Sequence, residues 1–303
     1  MRDDGESMSD DAEGPERPGT TVFEATVRDG VCRLRRPGTR WLSTGYDGGE
    51  SVGDCAYLVS VPEGWDDVDV SAYTARRRRE AGFRDSDQPV ESAPTLLTGV
   101  SMRHARRARL GPVEAVVTAG VNNPAALPLT AVESPSGAVG ATAEPPAHDA
   151  VGARAQNVVR ATGQDADEAT THDPDDDRPP TGTVNVVVGT TRSLAPGALA
   201  NLVAVAAEAK TATLLALTGF PGTTSDAVLV GCDPDGEAAA FSGSATAVGS
   251  AARACVRDAL LASLDSRYAE ESPPNSVEQA EYGVVTDERA RVRRVDSSGH
   301  ARE

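Results

Sequence analysis

Gly182-Thr-Val-Asn-Val-Val-Val-Gly189 is a β-branched apolar run bounded by glycines, and soon after it Pro196 opens a longer apolar stretch that lasts to Leu217. The first predicts a buried strand. The second predicts a helix, with a proline in its first turn and Gly219 just past its end. Ala227-Val-Leu-Val-Gly231 then predicts a second buried strand, and the alanine-rich stretch 245–264 a second long helix. Upstream, Thr21-Val-Phe-Glu-Ala-Thr-Val27 and Val31-Cys-Arg-Leu-Arg35 flank an Asp29-Gly30 turn, the pattern of an antiparallel hairpin. Trp41-Leu-Ser43 and 56–61 predict further strands around the glycine-rich turn Tyr46-Asp-Gly-Gly-Glu50, and 93–100 and 113–121 two more. Residues 70–81 predict a helix whose exposed face carries Arg76, Arg77, Arg78 and Arg79, either a solvated surface or an anion or partner patch. Together these runs predict a single α+β domain. Its mixed, largely antiparallel sheet is covered by the two C-terminal helices and the 70–81 helix.

Domain limits follow from composition. Residues 1–19 are acidic and aperiodic, the composition of a disordered tail; the domain itself spans 20–268, and 269–303 turn polar again, as in a mobile C-terminal tail. The stretch 141–181, with its Asp173-Pro-Asp-Asp-Asp-Arg-Pro-Pro180 run, is predicted to be an acidic insertion looped out of the core. A net charge of −17 with 46 acidic residues fits a protein that stays hydrated in high salt, as in a halophile, and argues against nucleic acid or an anionic membrane as a partner. The N-terminus has neither a basic nor an apolar leader region, and no stretch is expected to reach the ~20 apolar residues of a membrane span. Cys32, Cys55, Cys232 and Cys255 lack metal-ligand spacing and read as buried thiols of a cytoplasmic protein.

Several familiar catalytic sets are missing: there is no Gly-x-Ser-x-Gly elbow, no Gly-x-x-x-x-Gly-Lys loop and no His-x-x-x-His pair. Three of the four histidines, His148, His172 and His300, fall in the tails and insertion, and the fourth, His104, stands in a basic turn where it reads as a surface residue. Neither a metal nor a cofactor is expected. What stands out is Lys210, the only lysine among 29 basic residues, set inside the apolar helix. A compact ammonium differs from a guanidinium in size, hydration and pKa, so the two are not exchangeable. Four short polar clusters accompany it: Thr118-Ala-Gly-Val-Asn122, Gly182-Thr-Val-Asn185, Glu208-Ala-Lys-Thr211 and Gly222-Thr-Thr-Ser-Asp226.

This ordered series, with Trp41-Leu-Ser43 and Gly48-Gly49 before it and Ala207-Glu-Ala-Lys-Thr-Ala212 within it, resembles the adenosylcobinamide amidohydrolases of corrinoid salvage, the CbiZ type, in a halophilic archaeal form. The likeness covers roughly 20–265 in order; the acidic insertion and the tails depart from it without touching the motifs. It implies hydrolysis of the amide that joins a corrin propionyl group to aminopropanol, giving adenosylcobyric acid; the residues alone leave open a corrinoid-binding module without hydrolytic activity, or an amide hydrolase of another pseudo-peptide. The partner implied is a corrinoid small molecule.

Residue roles come from the residues themselves. Lys210 shares a helix face with Val203, Ala206, Ala207 and Leu214, so it is expected to be buried and in need of an anion, with Asp226 the first choice. It then acts either as half of a structural ion pair or as an electrophile for the amide oxygen, helped by Asn122 and Asn185. The attacking group is a water activated by Glu208 or Asp226, or the hydroxyl of Thr183; the sequence supports both. Ser43, Gly48, Gly49, Thr98, Thr118, Thr223 and Thr224 are expected to line the substrate cleft where strand ends converge.

Overall fold

The computed structural model describes residues 21–62, 65, 69–83, 93–128, 182–280 and 282–294. The segments read as the 1–19 tail and the 141–181 insertion lie outside the described residues, as do His148, His172 and His300.

The chain forms β1 (Glu24–Arg28), β2 (Val31–Ser43), β3 (Gly49–Ser60), α1 (Val70–Glu80), β4 (Thr95–Thr98), β5 (Arg106–Leu110), β6 (Val113–Ala119), β7 (Ala125–Ala126), β8 (Val184–Leu194), α2 (Pro196–Thr218), β9 (Ala227–Ala239), α3 (Ala247–Arg267) and β10 (Val284–Val285). Eight strands make one sheet in the order β4-β3-β2-β9-β8-β6-β5, with β1 added on β2. Only β3–β4 and β8–β9 are parallel within it, so the expected mixed, largely antiparallel α+β sheet is the one observed.

Alternation along the strands sorts the core into layers. Val184, Val186 and Val188 of β8, with Val228 and Val230 of β9, face the helices α2 and α3. Tyr57 and Val59 of β3 face the cluster that includes Tyr73 of α1. The opposite face of the sheet packs largely on itself: Leu34, Trp41, Leu58, Leu96, Val187 and Leu229 form one cluster. The sheet is therefore rolled, and its edge strand β4 returns over β8 and β6. Asn185 Nδ2 donates to the Leu97 carbonyl (2.6 Å), and the Thr98 and Thr118 hydroxyls lie 3.5 Å apart.

Two strand ends expected at glycines are instead strand interiors. Gly189 and Gly231 are register partners on β8 and β9, and both strands run on past them. The stacked rings of Phe23 and Trp41, 5.5 Å apart, lie over this pair. A Cβ on Gly189 would stand 2.0 Å from the Phe23 ring, and one on Gly231 2.6 Å from Trp41. Here glycine makes room for an aromatic layer rather than for a turn. β5 escaped the sequence reading because its arginines hide the alternation; one of them, Arg107, pairs at 2.6 Å with the fully buried Glu114 on β6.

Helix α2 corrects another expectation. It has 23 residues and contains an 18-residue stretch of mean hydropathy 1.3, long and apolar enough to cross a membrane, yet half of that stretch is buried inside the protein. Its apolarity belongs to a helix packed on a sheet. The stretch from 269, expected to be mobile, contains a segment that folds back: Val284–Val285 pairs in parallel with β7, and Tyr282 N donates to the Asn122 carbonyl.

Candidate functional site

The motif clusters meet at one end of the sheet. The C-terminal ends of β2, β4 and β6 and the N-terminal ends of β8 and β9 lie there side by side; Ser43 is opposite Leu229, Thr118 opposite Asn185, and Asn185 opposite Ala227.

Asp226 is the centre of this end. Lys210, on the sheet-facing side of α2, forms a direct ion pair with its Oδ2, as the burial argument predicted. Thr223 N donates to the same oxygen at 3.0 Å, while Val184 N (3.0 Å) and the Thr223 hydroxyl donate to Oδ1. Four donors on two carboxylate oxygens hold the group rigidly. Gly222 makes the arrangement possible: a Cβ there would stand 2.6 Å from Asp226 Oδ2 and 3.1 Å from Lys210 Nζ.

Beside this pair the hydroxyls of Thr183 and Ser225 share a hydrogen bond. Both residues, with Asp226, Thr44, Tyr46, Leu97 and Thr98, line a cleft of about 300 Å³. Ser225 is approached at 3.5 Å by Asn123 Nδ2, which donates to the Thr224 hydroxyl at 2.7 Å. Asn185 is fully buried under the cleft, its Nδ2 on Leu97 and its Oδ1 without a hydrogen-bond partner; the Oδ1 of buried Asn123 likewise has none. The Oδ1 of Asn122 accepts from the Tyr268 hydroxyl (2.8 Å), which itself accepts from Val121 N (2.9 Å), so the end of α3 sets its orientation.

A second, smaller cleft of about 100 Å³ adjoins the first and holds Ser43, Gly48 and Gly49. Most predicted residues thus gather at this end: Lys210, Asp226, Thr183, Thr223, Thr98, Thr118, Asn185, Asn122, Thr224, Ser43, Gly48 and Gly49. Glu208 does not. Its side chain is 61% exposed and pairs with Arg253 of α3 at 3.1 Å, because two residues from Lys210 a helix points to another face. Ser225, Thr44, Tyr46 and Asn123 were missed. Ser225 stood inside a quoted motif, but nothing in a run of Thr-Thr-Ser-Asp tells which hydroxyl turns inward.

His104 is not among the residues that line the cleft and, against expectation, is buried. Its Nδ1 lies 3.0 Å from the Ser266 hydroxyl, and Arg103 Nε donates to its Nε2 at 2.9 Å. Burial, then the nearby cations Arg103, Arg267 and Arg106, push its pKa below the ordinary histidine value. All four cysteines are free and buried, and burial pushes the Cys32 and Cys255 thiols up to about 11, which keeps them protonated and inert. Among the described residues no group of three His, Cys, Asp or Glu is placed to hold a metal ion.

Hydroxyls and a lysine-held carboxylate at converging strand ends, with no histidine among the described residues that line the cleft, define an α+β protein with a polar centre of hydroxyls and one ion pair. The family model for adenosylcobinamide amidohydrolase matches residues 17–272. An adenosylcobinamide amidohydrolase of Halobacterium salinarum is 50% identical over 271 residues, covering 89% of this chain and 99% of its own. The chain belongs to the adenosylcobinamide amidohydrolase family. Among solved structures, the PH0078 protein of Pyrococcus horikoshii OT3 aligns over 84% of this chain and 81% of its own, at 11% identity and a TM-score of 0.38.

Proposed function

We propose that this protein hydrolyses the aminopropanol amide of adenosylcobinamide in the cleft at the strand ends, releasing adenosylcobyric acid. Family membership supports the reaction. The observation that supports the place is the Thr183–Ser225 hydroxyl pair, set in the larger cleft directly against the anchored Asp226. In the balanced reaction the amide C–N bond breaks, the oxygen of one water ends on the acyl carbon, and the departing nitrogen takes a proton to leave as the amine.

In this reading the Thr183 and Ser225 hydroxyls meet the reacting amide and stabilise charge on its oxygen as the carbon becomes tetrahedral. Asp226, with its lone pairs engaged by four donors, is a positioning residue: it fixes Val184 N and so the adjacent Thr183. Lys210 balances its charge from the helix side. A large flat substrate suits an open cleft with a few convergent polar groups. Cytoplasmic placement in a salt-adapted archaeon is part of the proposal; free buried thiols and the haloarchaeal relative support it.

The test is mass-spectrometric detection of cobyric acid after purified protein meets adenosylcobinamide in high salt. Wild type should form it. Thr183→Val and Lys210→Ala should each lower kcat by about 10²–10³, the range for removing one group of an oxyanion site or its support. Cobyric acid formed at the wild-type rate by folded Thr183→Val would remove that hydroxyl from the mechanism, and none from folded wild type would overturn the reaction.

A further inference from the structure

The polar centre hangs on two loops that hold each other. Asn123 Nδ2 donates to the Thr224 hydroxyl at 2.7 Å and reaches the Ser225 hydroxyl at 3.5 Å. Thr224 N donates to the Asn123 carbonyl (3.1 Å) and Ala125 N to the Gly222 carbonyl (3.0 Å), with Pro124 and Thr223 bridged antiparallel between them. The 222–225 loop therefore takes its position from the 122–126 loop. It carries Ser225, the partner of Thr183, and both Thr223 donors to Asp226.

A third piece of chain grips the 122–126 loop. Tyr282 N donates to the Asn122 carbonyl (3.3 Å), Val284 N to the Pro124 carbonyl (2.9 Å) and Thr286 N to the Ala126 carbonyl (3.0 Å), so every second N–H from 282 to 286 is directed at this loop. Alternate N–H groups of a strand point to opposite edges, and that of Val285 is turned away from β7. Gly283 lets the segment come close: a Cβ there would stand 2.7 Å from the Val277 side chain and 3.3 Å from the Pro124 carbonyl oxygen. β10 itself is two residues long, one half-buried and one exposed, and neither belongs to a core cluster. It also lies beyond residue 272, where the match to the family model ends.

We propose that residues 282–286 are a positioning element for the hydrolysis, fixing Ser225 and Asp226 through the 122–126 loop, with the bond from Val284 N to the Pro124 carbonyl at its centre. This rests on the placement of the reaction at Thr183 and Ser225. Tyr268 of α3 anchors Asn122 from the core side, and β10 closes the outer side. Surface loops open locally at little cost, and a displacement of about 1 Å in a group that meets the reacting atoms lowers a rate by up to about 10²-fold.

The experiment replaces N–H groups one at a time with proline in the full-length chain. Val284→Pro and Thr286→Pro each remove a donor to the loop, Val285→Pro removes an N–H that the loop does not use, and Val284→Ala keeps the N–H while trimming the side chain. In the cobyric acid assay, Val284→Pro should lower kcat by about 10- to 10²-fold and leave KM unchanged. Thr286→Pro should move the same way, whereas Val284→Ala and Val285→Pro should keep the wild-type kcat. Hydrogen exchange read by mass spectrometry is independent of activity: the amides of Ala125 and Thr224 should exchange about tenfold faster in Val284→Pro than in wild type. Wild-type kcat in Val284→Pro, a rise in KM with kcat intact, an equal loss in Val285→Pro or Val284→Ala, or unchanged exchange at Thr224 would overturn the positioning role. Faster exchange in Val284→Pro, in a protein whose wild type forms no cobyric acid, overturns the reaction alone.

Discussion

At the scale of single residues, what matters is which neighbour each charge finds. Lys210 was conspicuous as the one lysine in an apolar helix, and burial required an anion for it. Geometry supplies Asp226 and also the gap that admits the pair, at Gly222. Gly222→Ala should therefore displace Asp226 or Lys210 and cost about 1–3 kcal/mol of stability, as overpacking does, along with most of the activity; urea unfolding and cobyric acid assays read the two effects. Lys210→Arg should not restore what Lys210→Ala loses, because the wider guanidinium does not fit the slot beside Gly222. His104 gives a pH effect. Its pKa is lowered in the folded state, so the unfolded chain binds the proton more readily. Stability from this group is intact above the ordinary histidine value, near 6.5, and falls as the pH drops below it. The thermal midpoint of wild type should fall from pH 8 to pH 5.5, and His104→Gln should flatten that part of the slope.

At the scale of elements, the sequence pattern was clear wherever it was local. Both long helices, the Asp29-Gly30 hairpin and the β8 and β9 cores were legible from periodicity, caps and turn residues. Helix α2 ends as read, with Gly219 in the left-handed conformation and its N–H on the Leu215 carbonyl. Strand lengths were not legible, because glycine at 189 and 231 has the same local signature whether it turns the chain or admits a ring. Gly189→Ala should drive Phe23 off Trp41 and destabilise the protein by about 1–3 kcal/mol. The double replacement Gly189→Ala with Phe23→Ala should recover part of that loss, and a denaturant-unfolding double-mutant cycle measures the coupling. Additive losses would mean that the aromatic layer does not depend on the glycine.

At the scale of the whole molecule, 46 acidic residues against 29 basic ones impose self-repulsion that salt must screen. The screening length falls from about 10 Å at 0.1 M to about 3 Å at 1 M. The thermal midpoint should rise with KCl over that range, about 2–4 °C for each ~1 kcal/mol gained; a midpoint indifferent to salt would sink this account of the composition.

The sequence by itself determined the α+β class, the helices, most strands, the family resemblance and the residues worth watching, because periodicity, turn chemistry and short motifs are properties of neighbouring residues. Only the tertiary structure decided which of those residues form one site. Rolling the sheet brings β4 back over β8, so Leu97 and Thr98 meet residues nearly ninety positions away. The same packing turns Ser225 inward beside Thr183 and leaves Glu208 outside with Arg253. Those choices depend on contacts between segments distant in the chain, and no local pattern carries them.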